Sequence, residues 1–380
     1  KARRVKKLFD FMDDFLEEEK QRIATHNKKG MIVEETFRLK SHHLNQLKKF
    51  YKLRSIKLED LNYGKLYEYP VWRSKTVDPR PEYQLKPPKR NHTILTELTT
   101  IKAYFAFLLR KGYISREPDF ASIQRESMKV NRRDFLSLTQ YSQTLNTVRK
   151  WYKSKSTTPT QKYNREMIYL CLLIMSNSAL RKGELKGLKW GDLEPNTNLD
   201  KEDQKIGHLI RVRAEVSKVG EPRTVQSPTV EYFDRLRMLQ GIKKKSGAPF
   251  PHIPLELRDQ LVLTKYNHSD EALGQGTWNQ CWQQIKELCA HRYWGDKNIT
   301  YYSFRHTAIS FAVQRQVPLL QLSRNSGTGI RYVEQVYYHH EAESKKNWET
   351  LMKNRKFHDA VSEKGSSINL KLEDALGVDV

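Results

Sequence analysis

Apolar residues recur at helical spacing through the first third of the chain. Three segments have one apolar face each: residues 9–23, residues 37–53, and a segment that starts from a cap at Asn91 or Thr93 and ends near Gly112. Apolar positions three and four residues apart lie on one side of a helix. The pattern therefore predicts a small helical bundle, and the polar face of its second helix is basic.

Prolines and a polar stretch interrupt this pattern. Five prolines between positions 70 and 88 predict an irregular loop, because proline lacks the backbone N–H that helices use. Between residues 122 and 131 the apolar period fades into polar, basic sequence, which predicts a linker. The apolar residues near the C-terminus are expected to pack against a neighbouring subunit, with folding back on the same chain or disorder as the open alternatives. The predicted parts are a helical domain over 1–125, a linker over 126–135, a second domain over 136–345 and a tail over 346–380.

The second domain combines helices with one hairpin. Residues 138–153 and 165–177 have helical patterns, and the second of these is apolar enough to be buried. Residues 206–216 alternate as a strand does, and 223–225 can return beside them after a turn at 218–222. The predicted fold class is mainly α with a small β-sheet.

The charge balance indicates the kind of partner. Among 380 residues, 68 Lys and Arg stand against 44 Asp and Glu, a formal net charge of +24. Such self-repulsion is typical of proteins that bind polyanions, so nucleic acid comes ahead of an anionic membrane surface or a merely basic enzyme. The apolar runs are shorter than the roughly 20 residues that span a bilayer. Three cysteines without metal-ligand spacing favour a reducing cytoplasm.

Candidate chemistry begins where the apolar helix ends. Arg181 follows that helix, and Glu184 comes three residues later, close enough to orient a guanidinium toward an anion. The pair also fits a helix-end arginine with an ordinary surface salt bridge. Lys218 lies at the tip of the predicted hairpin. A partly desolvated lysine there can donate a proton at a phosphate, although solvated turn lysines are commoner.

Two later segments complete the set. Arg305 lies near the start of a predicted helix, at the margin of its apolar face, and a helix N-terminus favours an anion. Further on, Ile330, Val333 and Tyr337 recur at helical spacing after a turn over 325–329. This spacing also fits a core aromatic at Tyr337, so no single segment identifies a site.

Together the segments resemble the motifs of the tyrosine recombinases, in particular integrases of proteobacterial phages and genomic islands. ALRKGEL followed by LKW resembles the first-arginine box of that family, YYSFRHTAIS the second, and GTGIRYVEQVYYHH the segment that leads into the nucleophile. The intervals also match, because Thr328 lies 23 residues and Tyr337 32 residues after Arg305. The resemblance covers residues 165–342 by motif.

The resemblance implies a fold and a set of roles. The fold is an N-terminal helical (SAM-like) core-binding domain plus an α+β catalytic domain, which together form a clamp around DNA. Arg181 and Arg305 are implied to bind the phosphate, Lys218 to act as general acid and Tyr337 as nucleophile. Neither a cofactor nor a metal is implied.

Two positions depart from the commonest family pattern. Tyr302 occupies a position that is usually histidine, and Thr328 one that is usually histidine or tryptophan. Both departures leave open which group acts as general base. Glu184 and His306 are expected to support the site by hydrogen bonding.

The implied function is site-specific recombination, which integrates or excises a mobile element through a 3′-phosphotyrosyl intermediate. The implied partners are double-stranded attachment-site DNA, further copies of the chain in a homotetramer, and DNA-bending or excision proteins. The implied location is the nucleoid in the bacterial cytoplasm, and no membrane is involved. Two alternatives stay open: a type IB topoisomerase-like or telomere-resolving enzyme with the same chemistry, and a non-catalytic DNA-binding relative. The side chains expected to contact DNA are Lys40, His43, Lys48, Arg132, Arg133 and Arg223.

Overall fold

The chain divides into two compact units. A computed structural model describes residues 5–23, 32–75, 91–122, 134–154, 158–244, 247 and 250–337. One unit comprises Lys1–Asn131 with Arg213–Pro222, and the other comprises Arg132–Val212 with Arg223–Val380. Most of the predicted linker and the whole predicted tail lie outside the described residues. The domain bounds therefore stay predictions.

The described part of the first unit is helical. The three helices expected from the apolar pattern are confirmed, and a fourth occurs where an irregular loop was predicted. That prediction was wrong around Pro70, because proline is tolerated in the first turn of a helix, where no backbone N–H is needed. The rest of the predicted loop, from residue 76 on, lies outside the described residues. The helices are α1 (Met12–Lys20), α2 (Glu34–Phe50), α3 (Tyr69–Lys75) and α4 (Asn91–Arg110).

Each long helix of this unit buries one apolar stripe in a shared core. Phe15 of α1, Leu47 of α2 and Phe105 of α4 belong to that core. Glu97 of α4 is buried as well, and it accepts hydrogen bonds from the Tyr69 hydroxyl and from Nε of Arg73, each at 3.0 Å. Burying a carboxylate without partners is costly, so these two bonds both compensate Glu97 and attach α3 to α4.

The second unit contains eight described α-helices and two small antiparallel sheets. Its helices are α5 (Leu138–Tyr152), α6 (Pro159–Ser178), α7 (Lys182–Lys186), α8 (Val230–Leu239), α9 (Gln275–Cys289), α10 (Tyr301–Gln314), α11 (Leu319–Ser326) and α12 (Ile330–Tyr337). Its strands are β1 (Leu193–Pro195), β2 (His208–Val212), β3 (Arg223–Ser227), β4 (Thr264–Lys265) and β5 (His268–Ala272).

Helix α6 forms the centre of this unit. Its start is specified locally, because Thr158 and Gln161 form a reciprocal capping box and Pro159 is the first helical residue. All nine residues from Met167 to Met175 are buried, which confirms the predicted core helix. The cysteines are buried free thiols in the described structure. Among the described helices, none combines the length and apolarity needed to cross a membrane.

The predicted hairpin is confirmed as β2 and β3. These strands pair antiparallel with Ile210 opposite Val225, and β1 adds a third strand on the other side of β2. The second sheet, β4 and β5, was missed, since only one hairpin was predicted in this domain. All five residues of β5 are exposed, so it lacks the apolar alternation by which a strand is recognised.

Candidate active site

Arg181 is held at the junction of α6 and α7. Ala179 adopts a left-handed conformation with φ 55°, which ends α6 and leaves Arg181 as the N-cap of α7. Arg181 donates from its backbone N–H and from Nη1 to Glu184, at 2.8 and 2.7 Å, and from Nη2 to the carbonyl of Gly327. The expected contact with Glu184 is therefore present, and it fixes the guanidinium with its side chain only 14% exposed.

A second guanidinium shares the same carboxylate. Arg223, the first residue of β3, donates from Nη1 and Nη2 to the two oxygens of Glu184, both at 2.8 Å. The Glu184 side chain is 1% exposed and Arg223 is 13% exposed. Such two-pronged pairing with a carboxylate is the strongest geometry available to arginine, so Arg223 is bound within the protein in this structure.

Arg305 on α10 is completely buried, at 0% exposure. Arg305 was expected at the margin of the apolar face of its helix, and burial extends past that margin, because Ser303, His306 and Thr307 of α10 are buried as well. Nη1 donates to the carbonyl of Ala179, and Nη2 donates to the carbonyl of Ser326 at 2.7 Å and to Oγ1 of Thr328 at 2.5 Å. Arg305 thus ties the end of α6 to the connection between α11 and α12.

That connection is also attached to the sheet. The side-chain amide of Asn325 pairs with the backbone of Gln226 on β3, accepting from its N–H at 2.7 Å and donating to its carbonyl at 3.2 Å. Gly327 adopts φ 62°, and a Cβ there would lie 2.7 Å from Cζ of Arg223. A residue without a side chain is therefore required at this turn for both conformational and steric reasons.

The charges of the cluster are strongly coupled. Burial alone raises the pKa of Glu184, but the hydrogen bonds and charges of Arg223 and Arg181 outweigh it and hold that pKa below its ordinary value. Burial lowers the pKa of Arg305, although guanidinium groups remain protonated at neutral pH. Three guanidiniums and one carboxylate give the cluster a net charge of +2.

Two aromatic side chains of α10, those of Tyr302 and His306, lie near Arg305 in the sequence. Cζ of Arg305 lies 5.8 Å from the centre of the half-buried Tyr302 ring. The His306 ring is buried and packs edge-on against Tyr302, with 4.8 Å between ring centres. His306 therefore supports the Tyr302 ring by packing, and the supporting role expected for it at the site stays a prediction.

Helix α12 runs through Tyr337, and its described side chains are those of residues 330–334. Val333 is fully buried, but Ile330 is 40% exposed, so the stripe expected to face inward does so only in part. Lys218 is exposed and lies between β2 and β3, in the segment Arg213–Pro222 that belongs to the first unit. The roles predicted for Tyr337 and Lys218 stay predictions.

The residues expected to contact DNA have varied surroundings. Nζ of Lys40 lies 2.6 Å from Oε2 of Glu19. The buried His43 shares a hydrogen bond with Thr100, with 2.8 Å between Nδ1 and Oγ1. Lys48 is half-buried. Their contacts with DNA stay predictions, as does that of Arg223. Outside the described residues lie Arg132 and Arg133.

Sequence reasoning missed two contributions to the cluster. The pairing of Arg223 with Glu184 joins residues 39 positions apart, and no local spacing signals it. The attachment of Asn325 to β3 was missed as well, although Asn and Gly between two helical patterns do indicate a specific turn.

The arrangement is suited to binding and stabilising an anion. Buried guanidiniums in fixed positions stabilise developing negative charge more strongly than solvated ones do. In the described ranges, no group of three or more His, Cys, Asp or Glu side chains is arranged to hold a metal ion.

Solved structures share this architecture. The XerH site-specific recombinase, bound to a palindromic difH substrate in a post-cleavage complex, aligns over 83% of this chain and 79% of its own, with TM-score 0.54 and 13% identity. A lambda integrase tetramer bound to a Holliday junction aligns over 87% and 78%, with TM-score 0.54 and 13% identity. A variant of the Tn1549 transposon integrase with circular intermediate DNA aligns over 86% and 95%, with TM-score 0.51 and 15% identity.

No protein-family model matches the sequence, and no curated protein matches it either. At 13–15% identity, the structural likeness establishes the fold. The chain therefore has the fold of the tyrosine recombinases.

Proposed function

We propose that this chain is a tyrosine-type site-specific DNA recombinase that cuts and rejoins DNA through a phosphotyrosyl intermediate at Tyr337. The observation that carries the proposal is the convergence of Arg181 and Arg305 on one turn. Arg181 donates to Gly327, and Arg305 donates to Ser326 and Thr328. The helix that follows this turn ends at Tyr337.

The chemistry is a transesterification. The Tyr337 hydroxyl gives its proton to a base whose identity stays open, its oxygen attacks phosphorus to form the phosphotyrosyl bond, and the bond between phosphorus and the 5′-oxygen breaks. Lys218 protonates the departing 5′-oxygen, and Arg181 and Arg305 stabilise the additional negative charge of the pentacovalent transition state. In the reverse reaction the 5′-hydroxyl of another strand attacks the phosphotyrosyl bond and releases Tyr337, which rejoins the DNA without a further energy source, because one phosphate ester has replaced another at each step.

The phosphate has to compete for the donors of Arg305. In this structure its Nη groups bond to Ala179, Ser326 and Thr328, while Nε is buried and has no hydrogen-bond partner among the described atoms. Binding at Arg305 therefore requires the connection between α11 and α12 to shift, or the phosphate to share donors with its carbonyls. Arg181 is partly exposed and can be reached first.

The proposed partner is a double-stranded attachment site. The net charge of +24 and the DNA complexes of XerH, lambda integrase and the Tn1549 integrase support a DNA partner. On this proposal the two domains clamp the duplex, four copies act on paired sites, DNA-bending or excision proteins assist, and the reaction takes place at the bacterial nucleoid. The tail over 346–380 is proposed to pack on a neighbouring copy.

The test uses covalent capture, which works even when the target sequence is unknown. A pool of nicked duplexes with a randomised central region is incubated with the protein, and DNA that remains attached after denaturation is amplified and sequenced. Selected sites are then placed in pairs on a supercoiled plasmid. Recombinant products would support the proposal. Relaxation without recombinants would indicate a topoisomerase-like enzyme, and the absence of any adduct would indicate a non-catalytic DNA-binding protein.

A further inference from the structure

Arg223 lies in the cluster but faces the carboxylate rather than solvent. Both of its terminal nitrogens donate to Glu184 at 2.8 Å, and its Nε donates to the carbonyl of Asn325 at 3.4 Å. Its side chain is 13% exposed. In this geometry the donors of Arg223 are used within the protein, and they connect β3 with two other parts of the site.

The first connection is electrostatic. Glu184 is 1% exposed and bonds to both Arg181 and Arg223. If Arg181 were its sole partner, the charges of the two groups would cancel and Arg181 would attract a phosphate weakly. Sharing the carboxylate with Arg223 leaves the trio with one net positive charge. Together with Arg305, the site then carries a net charge of +2. A phosphodiester in its pentacovalent transition state carries two negative charges, so the two charges are equal in size.

The second connection is steric. The guanidinium of Arg223 occupies the space next to Gly327, where a Cβ would lie only 2.7 Å from Cζ. The carbonyl of the same glycine accepts a hydrogen bond from Arg181. Arg223 therefore supports the turn from which α12 begins, and its position and that of Arg181 depend on each other.

We propose that Arg223 is a positioning residue for strand cleavage: it shares Glu184 with Arg181, so that Arg181 keeps its positive charge for the phosphate, and it supports the Gly327 turn. This inference rests on the proposed recombinase function. The proposed role of Arg223 differs from that of a merely structural ion pair in one respect. A charge-compensating Arg223 becomes less necessary once Glu184 is neutral, whereas a structural one does not.

That difference defines a double-variant experiment. The four proteins are wild type, Arg223→Gln, Glu184→Gln and the double variant that carries both substitutions. Two quantities are measured on a nicked duplex selected by wild-type capture: the rate of covalent complex formation and the equilibrium affinity for the duplex. Near-UV circular dichroism checks that each variant is folded. As the matched control, Arg235→Gln removes an arginine that bonds to Glu166 at 2.9 Å elsewhere in the second unit.

We expect Arg223→Gln to slow covalent complex formation by about 10- to 100-fold with little change in affinity, since loss of one stabilising group at a developing charge costs on the order of 10²-fold. The double variant should be at least about tenfold faster than Arg223→Gln, because both substitutions together restore the net charge. Arg235→Gln should react at the wild-type rate. If Arg223→Gln does not fold, Arg223→Lys decides, since it keeps the positive charge beside Glu184 but not the two-pronged bond. A rate near that of wild type at unchanged affinity supports the proposal, and a rate reduced as far as expected for the glutamine variant overturns it.

The outcomes separate the two proposals. If wild type forms no covalent complex with any duplex of the pool, the recombinase function fails and the role of Arg223 falls with it. If wild type reacts but Arg223→Gln stays within twofold of it, the role of Arg223 alone is overturned. If the losses of the two single variants multiply in the double variant, Arg223 has a structural role only.

Discussion

Arg305 donates a hydrogen bond from Nη2 to the hydroxyl oxygen of Thr328 over 2.5 Å. Thr328 occupies the position at which the tyrosine recombinases resembled by this sequence usually have histidine or tryptophan. The short threonine side chain bonds to the arginine, so we infer that Thr328 influences the phosphate through Arg305.

Replacing Thr328 tests this relationship. Thr328→Val keeps the shape but removes the acceptor, which leaves a buried donor of Arg305 with one partner fewer. Such a loss costs about 1–3 kcal/mol, so covalent complex formation should slow by about tenfold or more. Thr328→Ser keeps the hydroxyl and should react within about threefold of wild type. Equal rates for the valine and serine variants would separate Thr328 from the function of Arg305.

Contacts between residues close together in the chain could be predicted from the sequence, whereas contacts between distant residues could not. The apolar run Met167–Met175 predicted a core helix, because a helix buried on all sides needs such a run. The bond between Arg181 and Glu184 was predictable, since residues three apart are neighbours on a helix. The pairing of Glu184 with Arg223 was not, because only the tertiary structure brings β3 beside α7.

Burial was harder to predict than helix formation. Arg305 was expected at the margin of an apolar helix face, and the apolar period does not show how far burial extends beyond such a face. In the structure Ser303, Arg305 and Thr307 are all buried, and their hydrogen bonds to the backbone replace water. Functional sites are places where such conflicts between local pattern and structure are expected.

Lys218 is predicted to be the general acid of cleavage. Lys218→Ala should slow cleavage of an ordinary nicked duplex by about 10²- to 10⁴-fold, the usual contribution of general acid catalysis, with affinity little changed. A duplex with sulfur at the 5′-bridging position has a leaving group that needs no proton, so it should restore the rate of the variant. Equal defects on both duplexes would exclude Lys218 from this role.

The affinity for duplex DNA should depend steeply on salt. Each neutralised phosphate contributes roughly −0.9 to the slope of log affinity against log salt concentration. With a net charge of +24, we expect a slope magnitude well above about 4. Binding titrations at salt concentrations from roughly 50 to 300 mM measure this slope. A shallower slope would mean few ionic contacts and would argue against a clamp that surrounds the duplex.

Stability should fall in mildly acidic solution because of His208. Burial against Phe233 and Phe250 lowers the pKa of this histidine from 6.5 to about 4, and its Nε2 lies 2.8 Å from Oγ1 of Thr229. The unfolded chain therefore takes up a proton at higher pH than the folded chain does. The resulting stability is complete above about pH 6.5 and is lost as the pH falls toward 4, by about 3 kcal/mol.

Denaturant unfolding of wild type and His208→Gln at several pH values checks this expectation. The variant should lose less stability than wild type between pH 6.5 and 4. His291→Gln, at an exposed position, is the control and should follow wild type. Parallel curves for wild type and His208→Gln would contradict a neutral buried His208.

The identity of the nucleophile is the central claim, and two adjacent tyrosines allow a sharp test. On the helical pattern of the sequence, successive residues point about 100° apart, so we expect only one of Tyr337 and Tyr338 to face the phosphate. Tyr337 is the last residue of α12, four positions after the fully buried Val333, whereas Tyr338 lies outside the described residues. The interval of 32 residues from Arg305 also selects Tyr337.

The deciding measurement is covalent capture by Tyr337→Phe and Tyr338→Phe on the same nicked duplex, with affinity measured in parallel. Loss of one hydroxyl should leave duplex binding intact in both variants. We predict that Tyr337→Phe forms no covalent complex, while Tyr338→Phe forms one at a rate near that of wild type. A covalent complex with Tyr337→Phe and none with Tyr338→Phe would contradict this, because the nucleophile would then lie one residue later than the motif spacing requires.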